Sequence, residues 1–207
     1  MMHQPLSESL QDLLQKDPAL GHITLNRLLD KTEGRGLYLV IILLNLPFLV
    51  PVPLPGVSVV FGLVCLFLSV RLAFDLPPRL PRFVGERELP GEKMKIVLVA
   101  GVRILRFLEK YVRPRRTQWM TWRAARFGNA ALLAFLSFLL ALPIPPVPPL
   151  TNLLPGYSIV FLAAAMMEED GVIVWLGYGM SLLTTAYFIF IARILYSIFV
   201  RFLHNVL

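Results

Sequence analysis

Hydrophobic residues fall in three long runs along this chain, and charged residues are largely confined to the segments between them. Residues 37–74 contain one charged side chain, Arg71, and residues 127–167 contain none. The third run, 172–192, has the roughly 20 residues that an α-helix needs to cross a hydrocarbon core of ~30 Å. The pattern therefore predicts an all-α integral membrane protein.

Prolines interrupt the first two runs and exclude a straight helix in either. They stand at positions 47, 51, 53 and 55, and again at 143, 145, 146, 148, 149 and 155. Proline lacks the backbone N–H and clashes with the preceding turn, so a helix kinks or ends there. The piece before Pro51 has about 14 residues and reaches roughly 21 Å, which is too short to cross the core. We predict a half-helix, a break and a longer helix in each run, the broken or re-entrant arrangement of repeat-built transporters.

The two interrupted runs also share a sequence pattern. Pro55-Gly56-Val57-Ser58-Val59-Val60-Phe61 recurs 100 residues later as Pro155-Gly156-Tyr157-Ser158-Ile159-Val160-Phe161. This predicts two internal repeats, residues 37–113 and 114–207. The preceding residues, 1–36, are predicted to form cytoplasmic amphipathic helices.

The relative orientation of the repeats depends on residues 93–112. Arg103 and Arg106 would lie near the centre of a spanning helix, and each would cost several kcal/mol there. We therefore favour an amphipathic helix that lies at the interface or packs on the protein. If it is interfacial, both broken segments enter the membrane from one side. A spanning helix would instead invert one repeat relative to the other. The residues before it, 75–92, predict a charged cytoplasmic connection.

Composition agrees with a membrane protein and limits the partners. Hydrophobic residues make up 57% of the 207 residues and charged residues 16%, and the mean hydropathy is +0.69, so one soluble core could not hide the apolar surface. The net charge of +7 lies beside apolar runs with few aromatic residues for base stacking. It indicates anionic lipid headgroups rather than nucleic acid. We expect a multi-pass protein of the bacterial inner membrane.

So small a chain leaves little protein to enclose a path, which predicts a homodimer or a larger homo-oligomer. Small-residue faces, either the alanines of 163–165 or Gly177 with Gly179, are the predicted contacts between copies. The single cysteine, Cys65, excludes an internal disulfide, and three scattered histidines make no metal set. We expect no cofactor.

Residues at the two breaks are the candidates for a ligand or ion pathway: Asn45, Pro55, Gly56, Ser58, Asn152, Pro155, Gly156 and Ser158. We expect the helix to restart after each Pro-Gly, so that Ser58 and Ser158 lie in its first turn. Free N–H groups and the positive dipole end would there suit an anion or a polar headgroup. Alternatively, the serines cap their own helices and the asparagines satisfy broken backbone.

Four charged residues adjoin the apolar runs. Arg71 is predicted to end the first long helix, and Glu168, Glu169 and Asp170 to end its counterpart. Ionisable residues in membrane segments are rare unless they are paired or functional, so these groups could pair across the repeats. Alternatively, Arg71 snorkels to the headgroups and the acidic cluster forms a solvated turn before Gly171.

Several short motifs occur in an order that resembles one family. They are Glu33-Gly34-Arg35-Gly36, the first Leu-Pro and Pro-Gly block, a Leu-Pro-Arg-Phe connection at 80–83, Arg113-Pro114-Arg115, the second proline block with Asn152 and Pro155, and Glu169-Asp170-Gly171. Over nearly the whole chain they resemble the ExoD family of bacterial membrane proteins linked to exopolysaccharide synthesis. The resemblance implies an integral inner-membrane protein associated with exopolysaccharide production and, in some members, with alkali tolerance. It implies no reaction, and the second proline block departs from the family pattern, which is more often rich in Gly and Asn.

The sequence holds no constellation typical of an enzyme. It has no Ser-His-Asp order, no His-rich ligand spacing, no Walker glycine loop and no carboxylate pair that a pocket would enclose. We predict a non-enzymatic, transporter-like protein that moves or binds an ion or a lipid-linked precursor at the two breaks. The alternative is a non-transporting scaffold or regulator that binds exopolysaccharide synthesis proteins through its basic connection. A lipid-modifying enzyme is a third hypothesis.

Overall fold

The computed structural model describes residues 35–49, 56–76, 106, 118–143 and 150–206. Most of these residues form α-helices: α1 (Gly36–Asn45), α2 (Val57–Ala73), α3 (Arg123–Ala141), α4 (Leu150–Glu168) and α5 (Gly171–Val206). Short 3-10 helices at Leu46–Leu49 and Gln118–Thr121 follow α1 and precede α3. No strand occurs within the described ranges, and the predicted all-α class is confirmed for them. The predictions for 1–34 and for most of 75–117 fall outside the described residues.

Three of the described helices are long and apolar enough to cross a membrane. They are α3 and α4, with 19 residues each, and the segment Gly171–Ile198 of α5. α1 and α2 are shorter, with 10 and 17 residues. The third apolar run, predicted to span over 172–192, lies within a longer helix, and its span of the membrane stays a prediction. α5 continues past Arg193 to Val206, and residues 193–206 contain neither Gly nor Pro to end it.

α2 and α3 form an antiparallel pair that joins the first hairpin (α1 and α2) to the second hairpin (α3 and α4). At one end the Arg126 guanidinium bonds to the Asp75 carboxylate, and toward the other end Gly62 lies against Ala141. A Cβ atom at position 62 would stand 2.6 Å from the backbone N of residue 141. The two backbones therefore approach more closely than any other residue type at position 62 would allow.

α1 and α4 form the second pair between the hairpins. Phe48, just after α1, packs against Gly156 of α4, where an added Cβ would stand 3.1 Å from the Phe48 Cβ. The Tyr157 hydroxyl donates to the Leu49 carbonyl at 3.1 Å. The first helix of each hairpin thus packs against the second helix of the other hairpin. Two equivalent hairpins would pack in this crossed way, and the internal repeat itself stays a prediction from the sequence.

Small residues of α4 serve packing inside the chain. Ala163, Ala164 and Ala165 are 0%, 2% and 0% exposed. An added Cβ at Gly177 of α5 would stand 3.3 Å from the backbone of Leu162. The alanine face and Gly177 are therefore already covered within the chain, whereas Gly179 is exposed and an added Cβ there would meet no atom within 4 Å. A contact between copies at Gly179 stays a prediction.

α2 and α4 end in the same kind of turn. Asp75 and Glu169 have φ angles of 50° and 53°, in the left-handed region. The N–H group of the next residue donates back five positions in each case, to the carbonyls of Arg71 at 2.9 Å and Ala165 at 3.0 Å. This bond is that of a Schellman motif, which satisfies a helix carbonyl and stops the helix sharply.

Apolar side chains cover the outside of the bundle as well as its core. The fully buried core includes Leu37, Ile41, Leu68, Leu133, Leu136 and Ile159. Large exposed apolar side chains include Val60, Leu63, Phe138, Leu182, Leu183 and Phe190. In water such a surface would be a liability, whereas in a bilayer it contacts lipid chains. The fold is that of a membrane protein.

Candidate functional site

The first break lies between α1 and α2. α2 begins after Gly56, whose φ of 80° lies in the left-handed region that glycine adopts without strain. Ser58 is the second residue of α2 and is buried. The predicted helix restart after Pro-Gly is confirmed here, and Ser58 lies in the first turn. Pro55 falls outside the described residues.

The second break has a different geometry. α4 begins at Leu150 and continues through Pro155, so the predicted restart at Gly156 is wrong. Residues 150–154 contain no proline and start the helix early, and Pro155 removes only its own N–H bond, to the carbonyl of Thr151. Ser158 consequently lies in the third turn of α4 rather than the first. Asn152, half-buried, lies in the first turn instead.

Ser158 uses its hydroxyl within the chain. Its Oγ atom lies 2.8 Å from the Leu154 carbonyl and 2.8 Å from Oγ1 of Thr184. Thr184 Oγ1 in turn lies 2.8 Å from the carbonyl of Met180. The two hydroxyls have only two protons for these three contacts, so at most two of the contacts are hydrogen bonds at one time and neither proton is left for a ligand. This arrangement is expected if the Ser158 hydroxyl holds α4 against α5 and does not bind a substrate.

Other hydroxyls inside the helices are satisfied in the same local way. Ser69, Ser137, Ser181 and Thr185 each donate to the carbonyl four residues earlier, at 2.7–2.8 Å. This back-bonding is common for Ser and Thr in membrane helices, where no water competes. These groups therefore contribute polarity to the interior without an unfilled bond.

Asn45 differs from the hydroxyls because one of its polar atoms has no partner. The residue is 0% exposed at the C-terminus of α1. Its Nδ2 group donates to the Ile41 carbonyl at 2.7 Å and contacts the Cys65 sulfur at 3.3 Å. Its Oδ1 atom is buried and accepts no hydrogen bond. An amide oxygen in this position is an unfilled acceptor for an N–H, an O–H or a cation.

The broken ends of the two hairpins meet around Phe48. Phe48 lies three residues beyond Asn45, and its side chain is 2% exposed. Its ring meets the Phe61 ring edge-on, with centroids 5.9 Å apart, and its Cβ faces Gly156 of the other hairpin. The structure thus brings Asn45, Gly156 and the start of α2 into one region, whereas Ser158 faces α5.

The charged candidates lie at helix ends. The guanidinium of Arg71 lies over the Phe67 ring, 5.6 Å from its centroid. Asp170 is buried, and its Oδ1 accepts the N–H of Val172 at 2.8 Å, which makes it the N-cap of α5. The acidic cluster is therefore in part a helix cap. Pairing of Arg71 with Glu169 or Asp170 stays a prediction.

Three polar contacts were not anticipated from the sequence. They are the Tyr178 hydroxyl with Oδ1 of Asn129, the Thr184 contact with Ser158, and Cys65 with Asn45. Each involves a polar residue inside an apolar run, which is the signal that singled out Asn45. Within the described residues, no group of three or more His, Cys, Asp or Glu side chains could hold a metal ion.

Comparison with known proteins identifies the family. The family model described as "Exopolysaccharide synthesis, ExoD" matches residues 6–190. Protein ExoD of Rhizobium meliloti is 37% identical over 166 residues, which cover 80% of this chain and 69% of that protein. An uncharacterized protein of Synechocystis sp. is 25% identical over 179 residues, which cover 86% of this chain and 82% of that protein. No solved structure matches the chain. The predicted resemblance is confirmed, and the chain belongs to the ExoD family of exopolysaccharide-synthesis proteins.

Proposed function

We propose that this chain is a non-enzymatic, transporter-like protein of the bacterial inner membrane that binds and moves a polar ligand during exopolysaccharide synthesis. The ligand is an ion or a lipid-linked precursor, and it binds where the broken ends of the two hairpins meet. Family membership supports the pathway, and the three long apolar helices support the membrane. The observation that carries the proposal is the buried, unpartnered Oδ1 atom of Asn45.

The cost of that atom is the reason to assign it a ligand. A buried polar group without a partner is destabilising by about 1–3 kcal/mol in proteins, and by more in a hydrocarbon environment. The neighbouring hydroxyls avoid this cost by bonding to their own helices. The Nδ2 group of Asn45 avoids it through its two partners, the Ile41 carbonyl and the Cys65 sulfur. A ligand that presents a donor or a positive charge to Oδ1 recovers the lost interaction. Asn45 is therefore the residue that we assign to ligand contact.

Flux across proteoliposomes tests the proposal. Purified protein is reconstituted, and protons, alkali cations and fluorescent polyprenyl lipids are assayed separately. Asn45→Leu keeps the side-chain size but removes both polar atoms, and we expect it to abolish flux of the transported species. Thermal unfolding in detergent should change little, because the variant removes the unpaired acceptor together with the two contacts of Nδ2.

Ser137→Ala is the matched control. This buried hydroxyl bonds to its own helix at the Leu133 carbonyl, and its loss should leave flux intact. Wild-type flux in the Asn45→Leu variant would contradict the proposal, as would the absence of flux for every probe with the unchanged protein.

A scaffold or regulator of the synthesis machinery is the second candidate function. The observation that favours it is that the Ser158 hydroxyl already bonds within the chain. This is expected if the second break shapes the fold and binds no ligand. The scaffold's proposed binding surface for synthesis proteins consists of Arg79, Arg82, Arg113, Arg115 and Arg116. In a deletion strain, a scaffold predicts that Asn45→Leu restores exopolysaccharide production and that charge reversal of these arginines does not. If the chain is a transporter, Asn45→Leu should fail to restore exopolysaccharide production in that strain.

A further inference from the structure

Several helix termini meet at one end of the bundle. α2 ends and α3 begins there, joined by the Asp75–Arg126 ion pair. α4 ends and α5 begins beside them, because Trp119, just before α3, packs against Trp175 in the first turns of α5 with ring centroids 6.5 Å apart. α1 begins there too, since Tyr38 in its first turn lies near enough to Arg126 and Asp75 to interact with both charges.

Charged side chains are concentrated at this end, which we call the charged end. In the described part of the chain it includes Arg35, Arg71, Asp75, Arg123, Arg126, Glu168, Glu169 and Asp170. The parts of the hairpins that face away from it carry no charge, because residues 37–70 and 127–167 contain no Asp, Glu, Lys or Arg. Charged groups and tryptophans prefer the headgroup layer, whereas an uncharged turn tolerates the bilayer interior.

The most basic part of the chain starts and finishes at the charged end. Leu76 follows α2 and Gln118 precedes α3, so residues 77–117 leave and rejoin the bundle at the same end. They hold eleven of the twenty Lys and Arg residues but only four of the thirteen Asp and Glu residues. Short segments rich in Lys and Arg stay on the cytoplasmic side of a membrane.

α5 carries the markers of two membrane interfaces. Trp175 near its start is 67% exposed, and Tyr196 near its end is 70% exposed. Their separation of 21 positions along the chain corresponds to roughly 31 Å of helix, which is close to the ~30 Å of a hydrocarbon core. Arg193 is exposed one turn before Tyr196. Interfacial aromatic residues and a flanking arginine at this spacing indicate that α5 crosses the membrane once.

We propose that the charged end rests against the headgroups of the cytoplasmic leaflet, that both hairpins leave and return to that face, and that α5 carries the C-terminal end to the opposite face. The partner of the charged end is the anionic lipid surface. The four arginines and four acidic residues of the charged end balance, and the attraction comes from residues 77–117, which hold eleven Lys and Arg against four Asp and Glu. The exposed Trp122 and Trp175 fit the same headgroup layer. Because both hairpins point the same way, the two predicted repeats are not inverted. The inference rests on helix packing and charge, so it stands or falls independently of transport.

Single-cysteine labelling tests this orientation. Leu76→Cys, Trp122→Cys and Arg201→Cys are each made in a Cys65→Ser background and treated with a membrane-impermeant maleimide. All three positions are exposed. We expect residues 76 and 122 to react in inverted vesicles and not in intact cells, and residue 201 to react in intact cells. Labelling of 76 and 122 from opposite faces would overturn the inference, as would labelling of all three from one face.

Fusions to the C-terminus of the full chain give a second readout that needs no thiol chemistry. Alkaline phosphatase is active only outside the cytoplasm, and green fluorescent protein exported in unfolded form is dark. We expect an active phosphatase fusion and a dark fluorescent fusion. A fluorescent fusion with inactive phosphatase would place the end of α5 in the cytoplasm and overturn the proposal.

Discussion

Gly62 is the residue on which the contact between α2 and α3 depends most directly. A Cβ atom there would stand 2.6–2.9 Å from the N, Cα and Cβ atoms of Ala141, closer than side-chain carbons normally approach. Two of these atoms belong to the backbone and cannot rotate away. The contact between α2 and α3 therefore depends on the absence of a side chain at position 62, as small-residue contacts between membrane helices generally do.

Gly62→Ala is therefore expected to lower the free energy of unfolding by about 1–3 kcal/mol, because the helices must separate to admit the methyl group. Thermal unfolding in detergent measures the change. Gly128→Ala is the matched control, since an added Cβ there has no atom within 4 Å. It should be neutral or stabilising by up to ~1 kcal/mol, because alanine favours the helix. Equal effects of the two variants would show that the close approach at Gly62 is relaxed in the membrane.

The polar site was only partly predictable residue by residue. Asn45 stood out in the sequence because an amide inside an apolar run needs partners. Its contact with Cys65, 20 positions later, and its unfilled acceptor depend on how α1 meets α2. Ser158 stood out because it follows the repeated Pro-Gly, but its partner Thr184 lies on α5, where no local pattern links the two. Residue type indicates that a partner is needed, and packing decides which one.

At the scale of elements, α4 is the helix whose sequence most strongly predicted a break. Pro155 lies inside it, and the helix nevertheless continues from Leu150 to Glu168. Proline costs the helix the N–H bond to the Thr151 carbonyl and crowds the preceding turn. Contacts of Gly156 with Phe48 and of Ser158 with Thr184 hold this part of α4 between neighbours. Tertiary packing thereby outweighs a local preference of a few kcal/mol.

Pro155→Ala restores the missing N–H group, so we expect it to raise the free energy of unfolding by about 1–3 kcal/mol. If the ligand site needs the distorted turn, flux in proteoliposomes should fall in the same variant. Pro143→Ala is the control, because Pro143 is exposed and outside any helix, and it should leave both quantities nearly unchanged. A loss of stability in Pro155→Ala would mean that the proline shapes the contact with α1.

At the scale of the whole molecule, the two hairpins depend on each other. α1 packs on α4 through Phe48 and Gly156, and α2 packs on α3 through Gly62 and Ala141. Each hairpin separated from the other would expose faces that are closely packed in the complete chain. The stability of the bundle is therefore a property of both halves together, and neither is expected to behave as an independent domain.

Dividing the chain tests this dependence. Fragments 1–90 and 91–207, expressed together with a tag on one, are expected to associate and purify as a complex. Expressed alone, each should be degraded or aggregate, because its packing partner is absent. A fragment 91–207 that purifies alone with a cooperative thermal transition would show that α3, α4 and α5 suffice to fold, and the crossed packing would then be secondary.

The sequence by itself determined what acts over short distances along the chain. Long apolar runs make helices that need a bilayer, and prolines limit where a helix can run because they lack an N–H. Only the tertiary structure decided what acts across the bundle. The Leu49–Tyr157 bond joins residues 108 positions apart, and the crossing of the hairpins, the burial of Ala163–Ala165 and the helix through Pro155 all follow from surfaces fitting together. Such fitting sums many weak contacts between distant residues, so no local pattern encodes it.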